Sequence, residues 1–182
     1  MASALQLFSQ GAILGCLAVS TLVSVGNALQ PFPRMLDAVC AIAHTLPQPV
    51  IVQYGHTPFN CQGCQAHDFL DMPTFEDHMA KAELVILHGG AGSVINAIRA
   101  GKVPVIVPRR AEFAEHINNH QVEFAQLLAK QGRVVLVENP GELQLAVTRA
   151  KGLRNQRTKG DAMPPLVVAI KELLRSQVTQ DS

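Results

Sequence analysis

A glycine-rich stretch, HGGAGS at positions 88–93, follows an apolar run and precedes a segment with helical spacing. Glycine lets a backbone approach a ligand closely and adopt positive φ angles. The first N–H groups of a helix have no partners within it, and the helix dipole adds partial positive charge there. The stretch therefore predicts an anion site, above all for a phosphate or diphosphate.

Two polar side chains could add to this site. Ser93 either caps the helix or donates its hydroxyl to the phosphate, and His88 can donate a hydrogen bond to the same anion. The alternative is a tight turn with a serine cap and no ligand. The dinucleotide fingerprint would require glycine where Ile95 stands, and no lysine follows in the Walker A arrangement. The loop is therefore not an ordinary NAD or ATP cradle.

A second polar stretch, RRAEFAEHINNHQ at 109–121, follows the next apolar run. On composition alone it is either part of a binding site or a solvated loop and helix face. Its candidate hydrogen-bonding residues are Arg109, Arg110, Glu115, His116, Asn119, His120 and Gln121.

Regular elements must hold both stretches, and the apolar pattern predicts strands that alternate with helices. The predicted strands cover 22–25, 49–55, 84–87, 103–108 and 134–137, and the predicted helices cover 33–46, 75–82, 93–100, 115–130 and 140–150. Thr74 and Asp77 predict a capping box for the second helix. This alternation indicates a single Rossmann-like α/β domain with a parallel sheet. Ligands bind at the carboxyl ends of such strands, so both stretches are expected to face one crevice.

The bulk composition suits one folded domain, because 48% of the 182 residues are hydrophobic and 16% are charged. A net charge of +1 and an aromatic content of 4% argue against a dedicated nucleic-acid binder. We divide the chain into an uncharged extension (1–20), the Rossmann-like domain (21–150) and a basic linker with a C-terminal helix (151–182). The extension is a membrane anchor, a signal segment, or a flexible or mis-assigned start. It lacks the basic residues of a signal, and its apolar run is shorter than a bilayer span.

The cysteines and the basic C-terminal residues have ordinary interpretations. CQGC at 61–64, with His56 and His67 nearby, could bind zinc, but a closed zinc site normally needs a second cluster. We therefore expect a reduced surface loop and no metal site. The basic linker is expected to be solvated, with anionic lipid headgroups as the alternative. The basic residues concerned are Arg149, just before the linker, and Lys151, Arg154, Arg157 and Lys159 within it.

Four motifs in order resemble the donor-binding, C-terminal half of family-28 glycosyltransferases. These enzymes have the GT-B fold and include MurG and the two-subunit GlcNAc-transferase of the eukaryotic dolichol pathway. The motifs are VSVGN (23–27), YGH (54–56), HGGAGS (88–93) and EHINNHQ (115–121). They look most like the small stand-alone subunits of bacterial exopolysaccharide synthesis, of the PssE type. The likeness covers about 21 to 150, most of the chain.

The resemblance implies that the glycine-rich loop holds the diphosphate of a UDP-sugar, with help from His88. It also implies that Asn96 stands where many relatives carry an acidic residue that binds the ribose hydroxyls. An asparagine can bind the same hydroxyls without the assistance of a charge. No cofactor is implied. The donor-binding residues that the resemblance implies are Gly26, Asn27, His88, Gly89, Gly90, Ala91, Gly92, Ser93, Asn96, Arg109, Glu115, His116, Asn119, His120 and Gln121.

By the same resemblance, the chain is the catalytic subunit of a heteromeric inverting glycosyltransferase. It would move a hexosyl group from a UDP-sugar to a lipid-linked sugar acceptor in polysaccharide or glycolipid synthesis. A membrane-associated acceptor-binding subunit would supply the general base, and the chain would be cytoplasmic and peripheral at the inner face of the membrane. His88 and His116 are the candidate catalytic residues that the motifs offer. The alternative is a non-catalytic subunit that binds a nucleotide sugar or serves in assembly.

Overall fold

Six parallel strands form one sheet in the computed structural model, which describes residues 20–157. The strands are β1 (Thr21–Ser24), β2 (Val50–Gln53), β3 (Cys64–His67), β4 (Leu84–Leu87), β5 (Val105–Ile106) and β6 (Val135–Leu136). They lie in the order β3-β2-β1-β4-β5-β6. Val23 of β1 lies opposite Val52 of β2 on one side and Ile86 of β4 on the other. This is the strand order of a Rossmann fold, so the predicted fold class is confirmed.

Within residues 20–157, five helices cover the sheet. They are α1 (Pro33–Ile42), α2 (Met72–Lys81), α3 (Ala91–Arg99), α4 (His120–Lys130) and α5 (Leu143–Arg157). Short 3-10 turns occupy Ala43–Thr45, Ala111–Phe113 and Pro140–Glu142.

The two faces of the sheet carry separate hydrophobic cores. Val23 and Ile86 belong to the core formed with α1 and α5, whereas Leu22 and Val85 belong to the core formed with α2, α3 and α4. Because both faces are covered, β1, β2 and β4 are buried along their whole length and are mostly apolar, as parallel strands usually are. The connection after β1 leaves toward one face and the connection after β4 leaves toward the other. The two connections therefore open a crevice between the carboxyl ends of these neighbouring strands.

The sequence pattern did not predict β3. Residues 65–67 are exposed and Cys64 is half-buried, so this edge strand has no apolar alternation. Its backbone pairs with β2 in register, Ile51 opposite Gln65. Hydrogen bonds of the main chain, which side-chain patterns do not report, form this strand.

Four of the described helices begin elsewhere than predicted: α3 begins at Ala91 and α5 at Leu143, and the other two are α2 and α4. Asp71, and not Thr74, caps α2, because its carboxylate accepts a hydrogen bond from the Thr74 N–H at 2.8 Å. The helix predicted from Glu115 begins only at His120. The residues before it form a 3-10 turn that ends at Ala114, whose φ of 54° lies in the left-handed region. A backbone in that region cannot continue a right-handed helix.

The cysteines differ from the predicted reduced loop. The segment after β2 passes over the end of α1, so Cys61 forms a disulfide with Cys40, and their Cα atoms are 5.7 Å apart. Cys64 is free, and its burial raises the pKa of the thiol. Within residues 20–157, no group of three or more His, Cys, Asp or Glu side chains is placed to hold a metal ion.

The C-terminal linker does not begin where it was predicted. α5 continues through Arg157, because Leu153 still packs against the first core and Arg154 donates a hydrogen bond to the Glu83 carbonyl at 2.9 Å. Lys159, the helix predicted over 165–176 and the extension before Ser20 lie outside the described residues, and the division into domains stays a prediction. Among the described helices, none combines the length and the hydropathy needed to cross a bilayer.

Candidate functional site

A cavity of about 410 Å³ occupies the crevice at the carboxyl ends of β1 and β4. Three loops and the ends of β1 and β2 contribute to its walls. Its lining residues are Ser24, Gly26, Asn27, Gln53, Phe69, Leu70, Met72, Phe75, His88, Gly90, Ala91, Gly92 and Ser93. The structure thus brings together seven of the residues proposed for donor binding, all from the two glycine motifs.

The first turn of α3 opens into this cavity. Gly90 is the N-cap residue, and Ala91, Gly92 and Ser93 are the first three residues of the helix. A Cβ atom built at Gly92 would meet no atom within 4 Å, so the approach to this turn is open. Because Gly90 is the N-cap residue, Ser93 does not cap the helix, and its hydroxyl can donate to a ligand. This helix end combines free N–H groups, the positive end of the dipole and a cavity large enough for an anion.

Gly89 supports the turn from behind. Its φ of 94° is one that other residues rarely adopt, and a Cβ there would meet Ile106 at 3.3 Å and Gln121 at 3.4 Å. It does not line the cavity, unlike Gly90. Its role is to let the chain turn sharply from β4 into α3.

His88 lies at the back of the cavity with its ring packed between two glycines. A Cβ at Gly26 or at Gly90 would collide with the imidazole ring. Nδ1 lies 3.3 Å from the Ser24 carbonyl, which can only accept, so the proton is assigned to Nδ1. The Nε2 atom then carries a lone pair. The two glycines are therefore required by the ring as well as by any ligand.

The protonation state of His88 follows from its surroundings. Burial above all, and then the charge of Arg109, lower the pKa of His88 to about 4, and the hydrogen bond to Ser24 opposes them. His116 adds a smaller lowering effect. The ring is therefore neutral at pH 7, and the predicted hydrogen bond from His88 to an anion would require protonation of Nε2.

Arg109 is fully buried and does not face the cavity. Its Nη1 donates to the carbonyls of Gln30 at 2.7 Å and Glu115 at 3.1 Å, and its Nη2 donates to the carbonyl of Val25 at 2.9 Å. The guanidinium also stacks on Phe32, 4.7 Å from the ring centroid. Arg109 therefore joins the loop after β1 to the loop after β5, which corrects its predicted contact with a donor.

Glu115 is also engaged inside the protein. Both of its oxygens accept hydrogen bonds from Arg34, at 2.8 and 2.7 Å, and one also accepts from the Arg110 N–H at 3.0 Å. Its carboxylate therefore has no free face for a ligand. Arg34 was not predicted from the sequence. The available signal was its position in the first turn of a helix, where the dipole disfavours a cation.

The remaining residues of the second stretch hold their own loop. Asn119 accepts a hydrogen bond from the Ala111 N–H at 2.9 Å, and Gln121 accepts one from the Arg109 N–H at 3.2 Å. The His116 ring lies 3.1 Å from the Asn118 side chain, and His120 is exposed. Together with Arg110 and Asn96, these side chains are absent from the cavity lining as described for residues 20–157. The second stretch therefore lies beside the cavity, after β5, but none of its residues lines the cavity.

Six lining residues were missed: Ser24 and Gln53 end β1 and β2, and the other four follow β3. Gln53 joins the end of β1 to the loop after β3. Its amide donates to the Ser24 hydroxyl at 3.3 Å and accepts from the Leu70 N–H at 3.2 Å. Phe69, Leu70, Met72 and Phe75 then form an apolar wall opposite the glycine turn. No spacing in the sequence placed this wall at the site.

Comparison with known families identifies the family of the domain that carries this cavity. The model of the glycosyltransferase family 28 C-terminal domain matches residues 23–164. The chain belongs to this family. The match includes both polar stretches and the whole cavity lining.

Two curated relatives resemble shorter parts of the chain. The UDP-N-acetylglucosamine transferase subunit ALG13 of Yarrowia lipolytica (strain CLIB 122 / E 150) is 40% identical over 58 residues, which are 32% of this chain and 28% of that protein. The human protein of the same name is 32% identical over 77 residues, 42% of this chain and 6% of that protein. The matched part is thus less than a third of either relative. Neither name refers to exopolysaccharide synthesis.

Solved glycosyltransferases share the fold at lower identity. The calicheamicin glycosyltransferase CalG4 aligns with 76% of this chain and 37% of its own, with a TM-score of 0.58 and 23% identity. A glycotransferase of kitacinnamycin aligns with 87% of this chain and 40% of its own, with a TM-score of 0.59 and 17% identity. These likenesses confirm that the domain corresponds in fold to part of a longer glycosyltransferase.

Proposed function

We propose that the chain binds a UDP-sugar in the cavity between β1 and β4 and is the donor-binding, catalytic subunit of an inverting glycosyltransferase. One observation carries the proposal: the first turn of α3 opens, through Gly90 and Gly92, into a cavity at the crevice of a family-28 domain. A nucleoside diphosphate is the ligand whose charge this helix end favours.

The cavity offers a separate surface to each part of such a ligand. The N–H groups of 91–93 would bind the diphosphate, and the apolar wall that includes Phe69 and Phe75 would cover the base. When the bond to the sugar breaks, negative charge develops on the departing UDP, and the same N–H groups would stabilise it. Asn96 does not line the cavity as described. It would bind ribose hydroxyls only if the ligand extended to it or if the side chain at this position were longer.

The acceptor and the general base are assigned to a second subunit. The curated relatives are named as subunits, which supports an assembly of this kind. Such a partner would bind a lipid-linked sugar and keep the chain at the cytoplasmic face of a membrane. Within the chain, the low pKa of His88 makes it a weak base at neutral pH.

A non-catalytic subunit that binds a nucleotide sugar is the second candidate. The observation that favours it is Asn96, which lacks the negative charge that would strengthen a hydrogen bond to ribose.

The test is calorimetric titration of the purified chain with UDP and with several UDP-sugars. The Gly92→Asp variant places a carboxylate at the helix end, where it suits the dipole but repels a diphosphate. Gly152→Asp is the matched control, because Gly152 lies in α5, away from the cavity, and a Cβ there would also meet no atom within 4 Å. We expect the wild-type chain and Gly152→Asp to bind UDP equally and Gly92→Asp to lose binding. Equal affinity in all three would contradict the assigned site.

A further inference from the structure

Arg34 makes a branched connection between the start of α1, where the loop after β1 ends, and the loop after β5. It lies in the first turn of α1, and its Nε and Nη2 atoms donate to the two oxygens of Glu115 at 2.8 and 2.7 Å. Nη2 also donates to the Pro108 carbonyl at 2.8 Å. Glu115 lies 81 positions after Arg34 in the sequence, and Pro108 lies 74 positions after it. The guanidinium therefore fixes the chain just after β5 against the start of α1.

The ion pair lies in an enclosed, partly aromatic setting. The side chains of Arg34 and Glu115 are only 19% and 5% exposed. The Arg34 guanidinium lies 5.3 Å from the ring centroid of Phe32 and 5.1 Å from that of Phe113. A bidentate arginine–carboxylate pair sets both the distance and the orientation of its partners. Lysine, which offers a point charge, cannot reproduce this planar fork.

Arg109 joins the same two loops from the opposite direction. It extends from the end of β5 to the carbonyls of Val25 and Gln30, which flank the cavity residues Gly26 and Asn27. Both guanidinium groups contact the Phe32 ring, since Arg109 stacks on it as well. The loop after β1 and the loop after β5 are thus held at a fixed separation by two arginines.

The loop that Arg34 holds is also bonded to the cavity wall. Its first residues include Arg109, whose N–H donates to the carbonyl of the cavity residue His88 at 3.3 Å. Arg34 itself does not line the cavity. Any influence of Arg34 on a ligand must therefore pass through Glu115 and the two loops.

We propose that Arg34 is a positioning residue of the nucleotide site, which acts through Glu115 to set the loops after β1 and β5 around the bound diphosphate. The inference rests on the proposed function, because it concerns the same cavity. It assigns a role to a residue outside all four sequence motifs.

The experiment measures the dissociation constant for UDP and the midpoint of urea unfolding in three variants. Arg34→Met keeps most of the side-chain volume and removes the fork, and Arg34→Lys keeps the charge alone. Arg154→Met is the matched control, since Arg154 is also half-buried and donates to one carbonyl far from the cavity. We expect Arg34→Met to raise the dissociation constant about tenfold, because the loop after β5 would lose its attachment to α1 and residues without ligand contact can change binding by this much. Arg34→Lys should give a smaller rise, and Arg154→Met should keep the wild-type affinity.

Chemical rescue separates positioning from stability. Millimolar methylguanidinium should restore UDP affinity to Arg34→Ala by occupying the vacated place beside Glu115, and it should leave Arg154→Ala unchanged. If Arg34→Met fails to fold because a buried carboxylate is left unpaired, the pair Arg34→Met/Glu115→Leu removes that charge and keeps the test. This double variant should fold and still bind UDP weakly.

The outcomes distinguish the two proposals. A folded wild-type chain that does not bind UDP would overturn the proposed function and this inference with it. Wild-type binding together with an unchanged dissociation constant in Arg34→Met would overturn the inference alone. The inference would also be overturned if affinity fell in proportion to stability, by the same relation in the Arg34 and Arg154 variants.

Discussion

Gly90→Ala tests whether the His88 ring fills the space behind the glycine turn. Gly90 has a φ of −64° and a ψ of 129°, a conformation that alanine adopts without strain. Any cost of the substitution must therefore come from the side chain. The added Cβ would overlap the His88 ring, with Cε1 at 3.0 Å and Nε2 closer still.

The size of the effect follows from what confines the ring. His88 is 8% exposed, its Nδ1 bonds to Ser24, and a Cβ at Gly26 would also collide with it, so the ring has little freedom to retreat. Overpacking a filled site and losing one buried hydrogen bond should together lower the free energy of unfolding by about 3 kcal/mol.

Denaturant unfolding of Gly90→Ala beside Gly92→Ala provides the assay. Gly92 is two residues further along the same turn, and a Cβ there meets open space, so its substitution should raise stability by up to about 0.5 kcal/mol. The double variant His88→Ala/Gly90→Ala removes the ring and should be much less destabilised than the sum of the single variants. Equal stability of Gly90→Ala and Gly92→Ala, or strict additivity in the double variant, would refute the reasoning.

Two further predictions concern pH and donor affinity. The pKa of His88 is about 4 in the fold against 6.5 for an ordinary histidine, so the unfolded chain binds a proton that the folded chain refuses. The stability that His88 contributes is complete above pH 6.5 and is lost as the pH falls toward 4, by up to about 3 kcal/mol. Urea titrations of wild type and His88→Gln over this range should show that slope in the wild type only. Asn96→Glu should tighten UDP binding roughly fivefold by charge assistance to ribose hydroxyls, measured by calorimetry.

Specific results would contradict each of these. Parallel stability curves for wild type and His88→Gln would mean that folding does not lower the pKa of His88. An unchanged affinity for UDP in Asn96→Glu, with the chain still folded, would mean that the side chain at 96 does not reach the ribose.

The parts of the fold that were predictable are those in which local sequence and burial agree. β1, β2, β4 and β5 are buried because both faces of the sheet are covered, and their β-branched runs, such as 50–52 and 105–107, are visible in the sequence. β3 is stabilised by pairing with β2 and has exposed side chains, so no periodicity marks it. The start of α4 was misplaced because the backbone turns at Ala114 and residues 115–119 bend before the helix begins at His120.

The same division holds for the site. The glycine turn was predictable, since its chemistry depends on neighbouring residues along the chain. The apolar wall and the Arg34–Glu115 pair depend on segments that meet only after folding. Sequence spacing carries no record of such contacts, although an arginine in the first turn of α1, against the dipole, was a clue.

The opposite departures of α1 and α3 from the sheet have a consequence for how such a domain can diversify. The crevice exists because of the order in which the strands are connected, and no single side chain creates it. Many of the residues that line it, such as the loop residues Asn27 and Phe69, are exposed and lie outside both cores. Selection can therefore exchange one ligand for another by substituting these loops, while the sheet that creates the opening is inherited unchanged.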